Sequence, residues 1–138
     1  MIIIGEKING AIPSVARAIQ ERNGSFISEL AKKQSDAGAD YLDICAGVTP
    51  ELEKDALEWL VETVEKTVDT PICIDSPNVH MIADILPKIK KEGIVNSVSA
   101  ETGKCEVIYP LIADTNWKVI ALTCSDEGIP SGAMKKAR

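Results

Sequence analysis

Five short apolar runs, rich in β-branched residues, recur at residues 2–4, 41–44, 72–74, 94–98 and 119–122, and a helical pattern separates each from the next. None shows the in-out alternation of a half-exposed antiparallel strand, so each reads as a parallel strand buried on both faces. The resulting order is β-α-β-α-β-α-β-α-β, with a further helix expected to begin in SGAMKKAR at the end of the chain. Strict alternation with right-handed crossovers leaves two architectures, an open doubly wound sheet or a barrel. A full (β/α)8 barrel takes roughly 200 residues or more, so a chain of 138 residues supplies about half of one.

The helical segments carry their own marks. Between the first two strands Val15, Ala18 and Ile19 form one short stripe, Asn23-Gly24 interrupts it, and Phe26, Ile27, Leu30, Ala31 and Ala37 form a second that Gly38 ends. The stretch ELEKDALEWLVETVEKT sets Leu52, Ala56, Leu57, Leu60, Val61 and Val64 on one face. Thr49 and Pro50 suit its cap and first turn, and Glu51 and Glu53 suit the positive end of its dipole. Ser76-Pro77 repeats the device, and the helix after it is expected to run to about Lys91. A weaker helix is expected over 107–115.

Composition narrows the function. With 45% hydrophobic residues the chain can bury a core as one domain. A net charge of −6 offers no cationic surface for phosphates, which argues against nucleic acid or an anionic membrane as partner. The opening apolar run ends at Gly5-Glu6-Lys7 and no later segment approaches a spanning length, so a cytoplasmic protein is expected. Four cysteines without a CxxC pair and a single histidine give no metal-ligand pattern, and no tightly bound metal is expected. Cys73 and Cys105 read as small buried hydrophobes, Trp59 and Trp117 as packing residues, and His80 as solvent-facing. Without a glycine-rich phosphate loop after the first strand, a dinucleotide or nucleoside triphosphate is disfavoured.

In both architectures ligands bind at the carboxyl ends of the strands. Those ends are polar: Glu6, Lys7 and Asn9, then Asp43, then Asp75 and Ser76, then Asn96, Ser97, Ser99 and Glu101, and finally Ser125 and Asp126. Carboxylates, amides and hydroxyls with little positive charge suit a neutral polar ligand that donates many hydrogen bonds. Each residue also has a structural alternative, because Asp and Ser after a strand commonly cap the next helix. Asp75 stands apart because Ser76-Pro77 already provides a cap, and Asn96 because an amide inside IVNSVSA needs a partner.

Four strings, GEKING at 5–10, AGADYLDICAG at 37–47, CIDSPN at 73–78 and VNSVSAE at 95–101, each fall at an expected strand end. Together they resemble the methyltetrahydrofolate:corrinoid protein methyltransferases, of the pterin-binding TIM-barrel group that includes dihydropteroate synthase. The resemblance covers essentially the whole chain and implies that residues 1–138 are a single pterin-binding domain, the first half of a (β/α)8 barrel truncated after its fifth strand. It implies methyl transfer between N5 of methyltetrahydrofolate and the cobalt of a corrinoid carried on a partner protein. Asp75 and Asn96 would hold the pterin, with Glu6, Asn9, Asp43 and Ser97 at matching positions. No residue is assigned to catalysis, since nothing in the chain is a convincing proton donor to N5. Cys45 departs from the family pattern, which often has Asn there. Two other readings stand beside this one: a non-catalytic folate-binding half-barrel that assembles with itself or a complementing half, and a dihydropteroate synthase-like transferase. DSPN and NSVSAE match the methyltransferases better than the synthases.

Overall fold

The computed structural model describes residues 1–130, so the helix expected in SGAMKKAR lies outside the described residues. The elements are β1 (Ile4–Asn9), α1 (Pro13–Gln20), α2 (Gly24–Asp36), β2 (Tyr41–Cys45), α3 (Pro50–Glu65), β3 (Ile72–Asp75), α4 (Val79–Ile85), β4 (Ile94–Ser99), α5 (Lys104–Ile112) and β5 (Lys118–Leu122). A single 3-10 turn, Leu86–Lys88, follows α4.

All four strand pairings are parallel, and the strands lie in the order β1-β2-β3-β4-β5. That order chooses between the two architectures. A doubly wound sheet reverses its strand order and carries helices on both faces, whereas five strands laid down in sequence, with crossovers of one hand, stack their helices on one side as a TIM barrel does. Leu42, Ile44, Ile72, Ile74 and Val95 accordingly join Val15, Ile27, Leu57, Leu60, Ile82 and Ile108 in one buried core. The strands are therefore not apolar on both faces: residues between these core positions, Asp43, Asp75 and Asn96 among them, belong to the opposite face.

Two strands depart from regular alternation. In β1 the register slips between Gly5 and Ile8, and in β4 between Asn96 and Val98. Each slip is a bulge, which lets residues three apart serve one face. Val95 and Val98 thus both reach the helix layer, at 0% and 1% exposure. On β1 the Lys7 N–H donates instead to Gln34 Oε1 on α2, at 2.9 Å.

Several boundaries differ from expectation for identifiable reasons. β1 starts at Ile4, not Ile2, because its partner begins with Tyr41 opposite Ile4 and the Asp40 carboxylate accepts the Ile3 N–H at 2.8 Å. Ile2 and Ile3 are left exposed. α4 starts at Val79 with Asn78 as its cap, since Asn78 Oδ1 accepts the His80 N–H at 3.0 Å and Ser76 is engaged elsewhere. The helix ends well short of Lys91 because Pro87 has no N–H to continue it and a 3-10 turn closes it. α5 begins earlier than expected, after Gly103, and tolerates Pro110 inside it.

On α3 the buried stripe is Glu53, Ala56, Leu57, Leu60, Val61 and Val64, and Leu52 is 62% exposed. The spacing 53, 56, 57, 60 is the i, i+3, i+4, i+7 face, from which residue 52 lies about 100° away. His80 is exposed and Cys73 buried, as read from the sequence, whereas Cys105 is half-buried. No helix among the described residues is long and apolar enough to cross a membrane.

Candidate functional site

The face of the sheet away from the helices is organised around β3. Parallel register sets Cys45 beside Asp75 and Asp75 beside Asn96, while two residues toward the amino ends Asp43 lies beside Cys73. Strands two apart in a sheet are separated by about 9–10 Å. Asn96 on β4 nevertheless reaches over β3 to Asp43 on β2, its Nδ2 donating to Asp43 Oδ2 at 3.0 Å. Both side chains therefore extend over the same polar face. The bond also orients the amide: with Nδ2 committed to Asp43, Asn96 offers its Oδ1 as an acceptor. At the amino ends of the strands the Lys118 ammonium sits over the Tyr41 ring, 5.6 Å from its centroid.

Burial and like charge dominate the electrostatics here. Asp43 is only 3% exposed. Desolvation raises its pKa, the Asn96 amide and the Cys73 thiol pull it back, and the Glu6 charge raises it further. Asp75 is pushed up to about 6, first by burial and then by the neighbouring charge of Asp43, with the Cys45 thiol opposing and Glu6 adding to the rise. Burial and the Asp75 charge push the Cys45 thiol up to about 11, and burial with Asp43 raises Cys73 as well. Both cysteines stay protonated and donate, rather than acting as nucleophiles. The ion pairs found among the described residues involve none of Glu6, Asp43 and Asp75. The face is an array of acceptors with which no cation among the described residues forms an ion pair, and a ligand with several N–H donors is what would stabilise it.

Glycines shape the mouth of this face. The Gly10 N–H donates to Cys45 O at 2.9 Å, bringing the loop after β1 onto the end of β2. A Cβ on Gly10 would stand 1.8 Å from Ala46 O, and one on Gly47 2.8 Å from Gly10 C. Gly47 also holds a positive φ of 59°. GEKING and DICAG thus end in glycines because the two loops touch backbone to backbone.

The other expected site residues are placed as follows. Glu6 lies in the β1 bulge, exposed, and acts on Asp43 and Asp75 through its charge. Asn9 is opposite Cys45, but its Oδ1 accepts the Ala11 N–H at 2.8 Å and so closes the turn after β1. Ser97 is half-buried at the β4 bulge. Several polar strand ends prove structural. Ser99 Oγ donates to Glu101 Oε2 at 2.5 Å, Glu101 pairs with Lys104, and Asp126 accepts from the Thr102 N–H and hydroxyl. These partners hold Glu101 and Asp126 below the usual carboxylate range, and neither carboxylate is committed to the polar face. Among the described residues no cluster of three or more His, Cys, Asp or Glu is arranged to hold a metal ion.

Sequence reasoning missed Glu53. It is 6% exposed and accepts from Ser76 Oγ at 2.5 Å, so it is a buried partner of the turn after β3 and not a surface charge at the helix dipole. Its place on the apolar stripe, three and four residues before Ala56 and Leu57, is the signal that identifies it.

A pH dependence follows from Asp75. Because its folded-state pKa lies above the ordinary aspartate value, the folded chain holds the proton more tightly than the unfolded chain as pH rises from about 4 to about 6. Stability therefore falls across that window and the deficit persists above it. Asp75→Asn removes the charge: the variant is expected to exceed wild type by about 1–2 kcal/mol at pH 7.5, allowing for solvent screening at this half-exposed group, and to match it near pH 3.5. Urea unfolding at both pH values checks this, and an equal difference at both would refute it.

Comparison with known proteins adds to this geometry. A family model described as pterin binding enzyme matches residues 8–136. The chain is 49% identical over 138 residues to the methylcorrinoid:tetrahydrofolate methyltransferase of Eubacterium limosum, an alignment covering 99% of the chain and 51% of the relative. The chain spans about half the length of the curated relative it matches.

Proposed function

The chain belongs to the pterin-binding enzyme family, and from that premise we propose that it transfers a methyl group between N5 of methyltetrahydrofolate and the cobalt of a corrinoid carried on a partner protein. The observation that carries the reading is the acceptor array of Asp75 and Asn96, with Asp43 fixing the amide behind it. A pterin ring presents an exocyclic amine and ring N–H groups along one edge, which is the donor pattern such an array suits. At neutral pH Asp75 is mostly ionised and accepts two of those donors side by side, and Asn96 Oδ1 accepts a third. Glu6 supplies charge at the rim; Asn9 and Ser97 shape the turn and the bulge around the pocket.

Asp75 and Asn96 bind and orient. Displacement at N5 also needs a hydrogen bond to that nitrogen that strengthens in the transition state. These acceptors do not provide it, and the donor comes from outside the five described strands. The relative's name writes the transfer from methylcorrinoid to tetrahydrofolate. The same bound geometry serves either direction, because forward and reverse transfer share one transition state.

The corrinoid, as a substrate on its carrier protein, would approach the open polar face. We also place a second half-barrel, from the same or another chain, along the margins of the sheet. Ile2 and Ile3 are exposed beside β1, and Tyr109, Leu111 and Leu122 are exposed on α5 and β5, so apolar side chains mark both edges. Sedimentation at micromolar concentration would show a dimer, and a strict monomer argues against self-association. A cytoplasmic location agrees with four cysteines that are all unpaired.

The test of the main reading is saturable binding of methyltetrahydrofolate by isothermal titration, together with methyl transfer to a Co(I) corrinoid followed by its absorbance. Failure to bind any reduced folate in both this chain and a form extended to the relative's full length would sink the reading.

A further inference from the structure

The polar face does not use one buried carboxyl, that of Glu53 on α3. Its partner Ser76 follows Asp75 directly and is 4% exposed. Three hydrogen bonds converge on Ser76. Its hydroxyl donates to Glu53 Oε1 at 2.5 Å, its Oγ accepts the Asn78 N–H at 3.1 Å, and its own N–H donates to Asn96 O at 3.3 Å. One residue thus ties α3, the cap of α4 and the backbone of Asn96 to the end of β3. The two side chains assigned to the ligand, Asp75 and Asn96, are register partners on either side of this knot.

We propose that Glu53 is a positioning residue for the folate site: through the Ser76 hydroxyl it sets the spacing and orientation of Asp75 relative to Asn96. The inference rests on the proposed pterin reading and deepens it. The physical reason is local. β3 ends at Asp75, and the chain then leaves the sheet through Ser76-Pro77, so beyond Asp75 only the long 3.3 Å bond from the Ser76 N–H to Asn96 O restrains that carboxylate along the strand. The long, well-packed helix α3 supplies a rigid anchor in place of the ladder. Orienting groups for a bound substrate gain most when held by rigid elements, because ordering is then not repeated on binding. A carboxyl is suited to the role because it accepts the Ser76 hydroxyl while leaving Ser76 Oγ free to accept from Asn78.

The experiment compares Glu53→Ala, Glu53→Gln and Ser76→Ala with wild type by three readouts. These are methyltetrahydrofolate affinity by isothermal titration, the unfolding midpoint in urea, and the titration of the Asp75 carboxyl with the Asn96 side-chain amide shift by NMR. Positioning predicts about tenfold weaker binding for Glu53→Ala and Ser76→Ala in protein that is still folded, and an Asp75 titration displaced toward that of an ordinary aspartate. Glu53→Gln, which keeps an acceptor for the hydroxyl, restores most of the affinity and the wild-type titration. A merely structural role would lower the unfolding midpoint and leave the affinity and titration of the folded fraction as in wild type; that result overturns the inference. If wild type itself binds no folate, the pterin reading fails separately. The NMR arm then still decides, since an unchanged Asp75 titration and Asn96 amide in Glu53→Ala and Ser76→Ala refute the link.

Discussion

Asp75→Ala is expected to weaken methyltetrahydrofolate binding by about two orders of magnitude while leaving the chain folded. A hydrogen bond to an ionised acceptor contributes about 1.5–3 kcal/mol, and the variant removes the two such bonds proposed to the pterin edge. Removing the repulsion among Asp75, Asp43 and Glu6 stabilises the empty site, so it does not offset that loss. The same repulsion predicts that the unfolding midpoint at pH 7.5 is equal to or above that of wild type. Asp75→Asn should fall between, since an amide keeps one acceptor. Isothermal titration alongside urea unfolding separates the two effects. If Asp75→Ala binds the folate as wild type does, the carboxylate is not the anchor and the pterin assignment to this face is wrong.

Gly10→Ala carries the largest expected effect on stability. The new Cβ would stand 1.8 Å from Ala46 O, inside any permitted contact, and the atom it meets is backbone that cannot rotate away. Either the loop after β1 or the end of β2 must move, breaking the Gly10 N–H bond to Cys45 O. A loss of about 3 kcal/mol or more is expected, together with weakened folate binding, because Cys45 neighbours Asp75 in the sheet. Gly24→Ala is the contrast: its Cβ would meet only a methyl group of Thr63 at 3.9 Å, and a change within about 0.5 kcal/mol is expected. Urea unfolding of both variants checks the pair, and a Gly10→Ala chain as stable as wild type would show that the two loops separate freely.

Much of the candidate site's geometry was legible in advance because strand ends are local features. Asp43, Asp75 and Asn96 stand out as polar groups in apolar runs, and the structure places them on one face. The polar residues after β4 and β5 were less legible. Ser99, Glu101 and Asp126 have the composition of ligand groups, yet Ser99 bonds to Glu101, Glu101 pairs with Lys104, and Asp126 joins the loop after β5 to Thr102 in the loop after β4. Residue type alone does not distinguish a side chain that closes a loop from one that faces a ligand. Glu53 was misread for the opposite reason: an acidic residue in the first turns of a helix has a ready explanation in the dipole, and that explanation hid its place on the buried stripe.

By itself the sequence determined the alternation of strands and helices, the faces of the helices and the polar character of the strand ends. These depend on which residues lie two, three or four positions apart, and elementary backbone geometry governs those spacings. Only the tertiary structure decided that the strands follow one another in a barrel order, that bulges in β1 and β4 turn Ile8 and Val98 to the core, and that Asn96 meets Asp43. It alone joined Glu53 to Ser76. Those contacts link residues 53 and 23 positions apart. Such pairs meet only once the helices pack on one side and the whole sheet curls away from them, so no local pattern encodes them.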